Sequence, residues 1–166
     1  MITVGDVVHY GMDGVCVVTD IVEKKLGGQM RRFFELHPYF RKNIVIFLPL
    51  DNELLLSRVR PVLTREEVLT AVREINEVES IWVEPDAVRK EAYQQIIRGG
   101  EHRQLISLVK TLYERKQLMQ EDGRKLRSAD TVFLKDAERL INEEFAYVLG
   151  IDPASVPKTI QNELKN

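Results

Sequence analysis

The side chains that could do chemistry are few, and their spacing does not form a reactive group. None of His9, His37 and His102 belongs to an HxxxH or HExxH pattern, the usual spacing of histidine metal ligands. Cys16 is the only cysteine and lies in an apolar run, which predicts a packing residue and excludes an intrachain disulfide. The phosphate-binding and nucleophile motifs GxxxxGK[ST], GxGxxG and GxSxG are absent from the sequence. We therefore expect a protein that is not an enzyme and that holds no metal or cofactor.

Two adjacent carboxylates, Glu143 and Glu144, are the remaining candidates for acid–base chemistry. Adjacent positions of a helix point in different directions, so the two groups cannot act on one atom. We expect both side chains on a solvated helix face.

Trp82 is the only tryptophan, and it lies in a connection between two predicted helices rather than in an apolar stripe. One interpretation is that it fastens this loop onto the helical core. The other is a partly exposed aromatic tip beside Arg89, Lys90 and Arg98 of the next helix. Lys and Arg bind phosphates, and an aromatic wedge can exploit unstacked bases, so the second interpretation predicts contact with distorted DNA.

The charge of the chain is nearly balanced, with 24 Lys and Arg against 26 Asp and Glu. The basic excess is confined to residues 86–127, which carry ten Lys and Arg and six Asp and Glu. A protein that finds DNA through bulk charge is basic throughout. We therefore expect weak binding to free DNA through one local patch.

The 166 residues provide room for one ordinary domain or two small ones, and 44% apolar with 30% charged residues is a globular composition. No apolar run approaches the ~20 residues that span a bilayer. The first residues, MITVGD, have neither the basic nor the apolar region of a signal peptide. We expect a cytoplasmic monomer that does not enter a membrane.

Hydrophobic periodicity changes near residue 63, which predicts two domains, 1–62 and 63–166. The first part shows period-two runs separated by turn signals, including the Gly27-Gly28 hairpin turn. The five predicted strands are residues 4–10, 15–24, 31–37, 43–48 and 53–59. So few strands bury an apolar face most economically as a small Tudor- or SH3-like barrel.

The second part has helical periodicity. Thr64 to Glu67 forms a capping box before the first helix. Pro85 suits the first turn of the second helix, which would end at Gly99-Gly100, and a third helix would span residues 101–119. Ser128 could cap a fourth helix that ends at Gly150. The predicted fold class is therefore α+β: a five-stranded β-barrel followed by an all-α bundle.

Several segments, in order, resemble the CarD-like family of bacterial RNA polymerase-binding regulators. They are Val4-Gly5-Asp6-Val7-Val8-His9-Tyr10 with Asp13-Gly14, the Gly27-Gly28 hairpin with Phe33-Phe34-Glu35-Leu36, Ile46-Phe47-Leu48-Pro49, Val59-Arg60-Pro61, Leu126-Arg127-Ser128-Ala129-Asp130 and Tyr147-Val148-Leu149-Gly150-Ile151. The resemblance covers residues 2 to about 151.

The resemblance implies an N-terminal Tudor-like domain that binds the RNA polymerase β subunit, as in the transcription-repair coupling factor. It implies a helical domain that contacts promoter DNA at the upstream edge of the bubble, where a tryptophan enters the minor groove and slows bubble collapse. That tryptophan corresponds to Trp82. Glu84 and Asp86 stand where basic residues are expected, and Phe47 stands where some relatives carry arginine.

We predict two sets of site residues. The predicted DNA-contacting residues are Trp82, Arg89, Lys90, Arg98 and Lys125, and the predicted polymerase-contacting residues are Lys24, Arg31 and Phe47. The alternative function is a protein-interaction module, in which the barrel binds a partner and the helices are only a scaffold. A buried Trp82 with acidic side chains around Arg89 and Lys90 would favour that alternative.

Overall fold

The computed structural model describes residues 2–165, which divide between Val62 and Leu63 into two compact units. The first unit contains the strands β1 (Val7–Tyr10), β2 (Gly14–Leu26), β3 (Gln29–Pro38), β4 (Ile46–Pro49) and β5 (Val59–Pro61), with a short helix α1 (Glu53–Leu56) before β5. The second contains α2 (Arg65–Arg73), α3 (Asp86–Gly99), α4 (His102–Glu121), α5 (Ser128–Leu149) and α6 (Val156–Lys165). The α+β class predicted from the sequence is confirmed.

The five strands form one antiparallel sheet in the order β4-β3-β2-β1-β5. The β2–β3 hairpin turns at Gly27 and Gly28, whose φ angles of 61° and 82° are strained for residues with a side chain. Among the described residues no ladder joins β4 to β5, so the sheet is open and strand pairing does not complete the predicted barrel.

The predicted fifth strand, residues 53–59, is wrong for most of its length. Asn52 caps a helical turn there, because its side-chain oxygen accepts a hydrogen bond of 3.0 Å from the backbone N–H of Leu55. The Glu-Leu-Leu-Leu run that follows consists of good helix formers. Only Val59–Pro61 pairs with β1.

Alternate residues of the strands build the core of the first unit. Seven buried side chains form it: Val8, Tyr10, Cys16, Val18, Phe34, Leu36 and Leu48. The predicted packing role of Cys16 agrees with this position, since its side chain is fully buried.

The helices of the second unit begin and end near the predicted signals. The hydroxyl of Thr64 accepts a hydrogen bond of 3.1 Å from the Glu67 N–H, as the capping box predicts. Gly100 ends α3 with φ 69°, a left-handed conformation that favours glycine. Arg127 rather than Ser128 occupies the cap position of α5. α5 packs against α2, α3, α4 and α6, so the core of this unit lies around it.

The prediction that Glu143 and Glu144 are solvated is wrong, because both side chains are buried. One oxygen of Glu144 accepts a hydrogen bond of 3.0 Å from the backbone N–H of Leu63, at the start of this unit. Glu143 accepts a hydrogen bond of 3.3 Å from Arg139, one turn earlier on α5. The buried carboxylates therefore satisfy donors of the protein itself.

Candidate functional site

A cluster of cations and aromatic rings covers the sheet face of the first unit that lies opposite its core. We call this cluster, Lys24, Arg31, Phe33 and Phe47, the aromatic face. Its residues come together because Lys24 pairs with Arg31 across the β2–β3 ladder, and Phe33 lies two positions further along β3. Phe47 on β4 then packs edge-to-face on Phe33, with ring centroids 6.4 Å apart.

The two cations of the aromatic face are held differently. The Lys24 ammonium lies 3.4 Å from the centroid of the Phe47 ring, a cation–π contact. Arg31 lies 5.7 Å from the Phe33 ring and donates a hydrogen bond of 2.7 Å to Asp51. This bond lowers the pKa of the Asp51 carboxyl from its ordinary value. The three predicted polymerase-contacting residues thus form one continuous surface.

In the helical unit, the loop that carries Trp82 is fixed to α3 and α4 by hydrogen bonds. The Ile81 N–H donates to the Thr111 hydroxyl at 2.9 Å, and the Tyr93 hydroxyl donates to the Ile81 carbonyl at 2.9 Å. The Lys110 ammonium donates to the Val78 carbonyl at 2.8 Å. Burial raises the pKa of Tyr93 to about 12, so this phenol remains a donor over the physiological range. The loop is therefore ordered before any partner arrives.

The Trp82 side chain is half-buried. Its exposure therefore lies between a ring packed into the helical core and an exposed aromatic tip, the two alternatives that the sequence leaves open. Its indole N–H donates to Glu84 at 2.9 Å. The guanidinium carbons of Arg89 and Arg115 lie 4.1 and 4.3 Å from the ring centroid, well within cation–π range. The ring is thus held by two arginines on different helices rather than by an apolar core.

Arg89 is a buried residue and does not present its charge to solvent; its side chain is 3% exposed. It donates two hydrogen bonds to Asp130 on α5, of 2.8 and 3.1 Å, and forms an ion pair of 2.8 Å with Asp86. It also donates a hydrogen bond of 3.2 Å to the Val83 carbonyl in the Trp82 loop. The hydrogen bonds to Asp130 raise the pKa of the Arg89 guanidinium above its ordinary value, and those to Asp86 add to the effect.

The other predicted DNA-contacting residues are exposed, and the structure does not bring them into contact with Trp82. Lys90 follows Arg89 on α3 and points away from the buried side of the helix. Arg98 lies nine residues after Arg89, which is about 14 Å along the axis and half a turn around the helix. Lys125 lies in the α4–α5 connection and lines a surface pocket with Lys116.

Sequence reasoning missed the partners of Trp82 and Arg89, although a signal was present. Asp130 lies three and four positions before Phe133 and Leu134 in the inward stripe of α5. Arg115 lies three positions after the buried Leu112 of α4. A charged residue that continues an apolar stripe is a candidate for a buried ion pair or a ring contact.

Metal-ligand clusters and membrane-spanning helices are both absent from residues 2–165. No three His, Cys, Asp or Glu side chains in this range are grouped as metal ligands would be. Every helix in the same range is too short or too polar to span a bilayer.

The aromatic face has the composition of a protein-binding surface, because aromatic residues and arginine are enriched at the centres of interfaces. The sheet of the first unit holds the aromatic face in place. The first unit therefore has the architecture of a small interaction domain. Residues 2–60 match the CarD-like/TRCF RID domain family, so the N-terminal unit is an RNA polymerase-interacting domain of that family. This confirms the predicted resemblance over the matched range, and the family is non-enzymatic. Among curated proteins, none matches the chain.

Proposed function

We propose that this protein is a transcription regulator that binds the β subunit of RNA polymerase and stabilises the open promoter complex. The N-terminal unit docks on polymerase, and the helical unit contacts promoter DNA at the upstream edge of the bubble. The observation that carries the polymerase part is the family match over residues 2–60. The observation that supports the DNA part is the pre-ordered loop that presents Trp82 among cations.

The polymerase contact is made by the aromatic face. Phe47 is 36% exposed and offers an apolar ring edge next to the Lys24 ammonium. Because Phe47 stands where some relatives carry arginine, the contact here depends more on apolar burial and less on an ion pair. Apolar burial is insensitive to salt, so this interface tolerates ionic strength better than an arginine-centred one.

The DNA contact is made by Trp82 together with exposed cations. A ring held in place loses little conformational entropy on binding, which favours its use as a wedge at an unstacked base step. Lys90, Arg98 and Lys125 are exposed and supply phosphate contacts around it. Arg89 takes a different role from the predicted one: it positions Trp82, because its charge is already matched by Asp130 and Asp86.

Two weak contacts suffice for function if they act together. A patch of few cations releases few counterions and binds free DNA weakly. Docking on polymerase raises the effective concentration of this patch at the promoter, to the millimolar range for a short linkage. The protein would therefore act at promoters occupied by polymerase.

One observation favours a second candidate function, a polymerase-bound scaffold whose helices do not contact DNA. Three carboxylates, Glu84, Asp86 and Asp130, surround Arg89 within 3.6 Å. Negative charge close to Trp82 repels phosphates. This candidate predicts that Trp82 contributes only to the stability of the helical unit.

The lifetime of the open complex separates the two candidates. Polymerase–promoter complexes are formed with and without the protein and challenged with a polyanion competitor, and the surviving fraction is followed over time. We expect Trp82→Ala to lose the added lifetime while it still binds polymerase. Val132→Ala, which truncates an exposed apolar residue of α5, is the control and should keep the full effect.

The polymerase contact is tested in the same system. Phe47→Ala should weaken binding to polymerase about tenfold or more, as expected for a central aromatic residue of an interface. Leu54→Ala removes a more exposed apolar side chain, 66% exposed, from the same unit and should bind normally. Full open-complex stabilisation by Trp82→Ala would favour the scaffold. Loss of polymerase binding in a folded Trp82→Ala protein would contradict the proposed division between the two units.

A further inference from the structure

An apolar cleft lies in the helical unit, apart from the residues assigned to polymerase or DNA. Its walls are α4, α5, α6 and the turn that follows α2, and its volume is about 360 Å³. We call it the apolar cleft, and its main lining consists of Ile75, Val109, Tyr113, Ile141, Ile160 and Leu164. Tyr113 and Leu164 are 44% and 40% exposed, so the cleft is open to solvent on the side that they border.

The walls of the apolar cleft are held in place by the helical unit itself. The apolar stripe Val156, Ile160 and Leu164 recurs every four residues along α6, and it passes from fully buried at Val156 to exposed at Leu164. The Tyr113 phenol on α4 is hydrogen-bonded to Glu138 on α5, and this bond raises the pKa of Tyr113 to about 12. One end of α6 is therefore anchored in the core, while its other end leaves an apolar side chain uncovered beside an ordered ring.

Carboxylates predominate around the apolar cleft. A second depression shares Ile106 with the cleft and is lined by Glu74, Glu77, Glu79 and Arg103. Glu74 is paired with Arg103 at 3.3 Å, whereas Glu77 and Glu79 form no ion pair within residues 2–165. These two carboxylates are therefore available to cations of a partner.

Lys110 is a cation of the apolar cleft itself, but its ammonium is bound to backbone oxygens. It donates hydrogen bonds of 2.8 Å to the Val78 carbonyl and 3.0 Å to the Asn76 carbonyl. The charged residues that line the cleft and the adjoining depression are four carboxylates and two cations: Glu74, Glu77, Glu79 and Glu138 with Arg103 and Lys110. This surface therefore carries an excess of negative charge.

α4 separates the apolar cleft from the Trp82 loop. Arg115, which contacts the Trp82 ring at 4.3 Å, lies two positions after Tyr113. Two positions correspond to about 200° around an α-helix, so the two side chains lie on opposite sides of α4. The cleft therefore remains accessible while Trp82 contacts another molecule.

We propose that the apolar cleft binds an amphipathic helix of a partner protein, one whose apolar face is flanked by lysine or arginine. Such a helix inserts apolar side chains spaced three or four residues apart into a groove. Its flanking cations meet Glu77, Glu79 and Glu138, and this complementarity selects the partner and its orientation. The contact is separate from the polymerase and DNA contacts proposed above.

Other occupants fit this surface less well. A small-molecule site usually buries ~70–90% of its ligand, and this cleft is open along one side. Phosphates of a nucleic acid or of an anionic membrane are repelled by the surrounding carboxylates. A helix needs only its apolar face buried and leaves its opposite face in solvent.

The experiment is an NMR titration of the isotopically labelled full-length protein with two synthetic peptides. Each peptide has about 18 residues, above the ~12–15 that an isolated helix needs, with leucines along one face and alanine elsewhere. One peptide carries lysines beside the leucine face, and the other carries glutamates at the same positions. We expect the lysine peptide to shift the backbone amides of Val109, Tyr113 and Leu164, and the glutamate peptide to bind at least about tenfold more weakly.

Variants of two walls test the apolar part of the contact. Leu164→Glu on α6 and Tyr113→Ala on α4 should each weaken binding of the lysine peptide about tenfold or more. The same loss from two different helices excludes local fraying of α6 as its cause. Leu118→Glu is the matched control, because this leucine of α4 is also exposed but does not line the cleft.

The charged part is tested with Glu77→Gln/Glu79→Gln. Each exposed carboxylate should contribute up to about a fivefold change in the affinity for the lysine peptide. This difference between the variant and the wild type should shrink as salt is added, because salt screens exposed charges.

Amide shifts confined to the apolar cleft and lost in Leu164→Glu support the proposal. No binding of the lysine peptide, equal binding of both peptides, or an equal loss in Leu118→Glu overturns it. A concentration-dependent dimer of the wild-type protein that Leu164→Glu dissociates means that a second copy fills the cleft, and this also overturns it. Trp82→Ala should bind the lysine peptide normally, so failure of the proposed DNA contact and failure of the cleft are observed separately.

Discussion

Replacing Asp130 with asparagine removes the charge that balances Arg89 inside the helical unit. Both side chains are at most 4% exposed, and they share hydrogen bonds of 2.8 and 3.1 Å. Asparagine has nearly the same shape, so the change acts on charge rather than on packing. Arg89 is left buried with two remaining carboxylates, Asp86 at 2.8 Å and the more distant Glu84 at 3.6 Å.

The size of the effect follows from these contacts. Removing one member of a buried ion pair costs about 3–5 kcal/mol when the remaining charge has no other partner. Asp86 and Glu84 offset part of this cost, and the asparagine oxygen can still accept one hydrogen bond. We therefore expect Asp130→Asn to lower the free energy of unfolding of the helical unit by about 3 kcal/mol. At about 2 kcal/mol per molar urea, the midpoint falls by roughly 1.5 M.

Urea denaturation followed by Trp82 emission is the suitable assay, since the only tryptophan lies in the unit that is changed. The control is Arg127→Gln, which breaks an ion pair of 2.7 Å whose arginine is 70% exposed. An exposed pair contributes at most about 1 kcal/mol, so this midpoint should barely move. A loss below about 1 kcal/mol in Asp130→Asn would refute the reasoning, because the Arg89 charge would then not depend on Asp130.

The double variant Arg89→Met/Asp130→Leu extends this test to function. Replacing both members of a buried pair by apolar residues is often neutral or stabilising. We expect folding close to that of the wild type, but a Trp82 loop without its Arg89 contacts. Stable folding with a shortened open-complex lifetime would support the positioning role of Arg89, and an unchanged lifetime would argue against it.

Two further predictions concern stability. Thr64→Ala removes the cap of α2 and should lower the free energy of unfolding, measured in urea, by about 1 kcal/mol. Thr70→Ala, on the exposed side of the same helix, is the control and should lower it little. Equal losses in the two variants would contradict the capping role. The second concerns alkaline pH. Burial raises the pKa of Tyr93 to about 12 from an unfolded value near 10, so the neutral phenol contributes stability that is complete below pH 10 and lost between pH 10 and 12. In Tyr93→Phe, the free energy of unfolding should therefore fall less steeply between pH 10 and 12, by up to about 1.4 kcal/mol per pH unit. The same slope in the wild type and the variant would mean that the pKa of Tyr93 is not raised.

Local signals in the sequence were sufficient for most elements of the fold. The Gly27-Gly28 turn, the Thr64 capping box and the glycines after α3 and α5 act on residues within one turn of themselves, so their effect can be predicted without tertiary information. The strand predicted at residues 53–59 is wrong for an equally local reason. The apolar run after Asn52 suits either a strand or a helix, and the Asn52 cap favours the helix.

The candidate site was only partly predictable for a different reason. Sequence reasoning selected Trp82, Arg89 and the cation–aromatic residues of the first unit by type and by resemblance. It could not determine that Arg89 is neutralised by Asp130, which is 41 residues away on another helix. It also could not determine that Arg115 stacks on Trp82.

The sequence by itself determined the fold class, the positions of most helices and strands, and the family resemblance of the N-terminal unit. Each of these depends on side-chain periodicity or on motifs whose members are close along the chain. Tertiary structure decided that Arg89 is buried in an ion pair with Asp130 and that Arg115 lies against the Trp82 ring. The physical reason is that the burial and pairing of a charge depend on which helices pack together, and that packing brings together residues far apart in sequence.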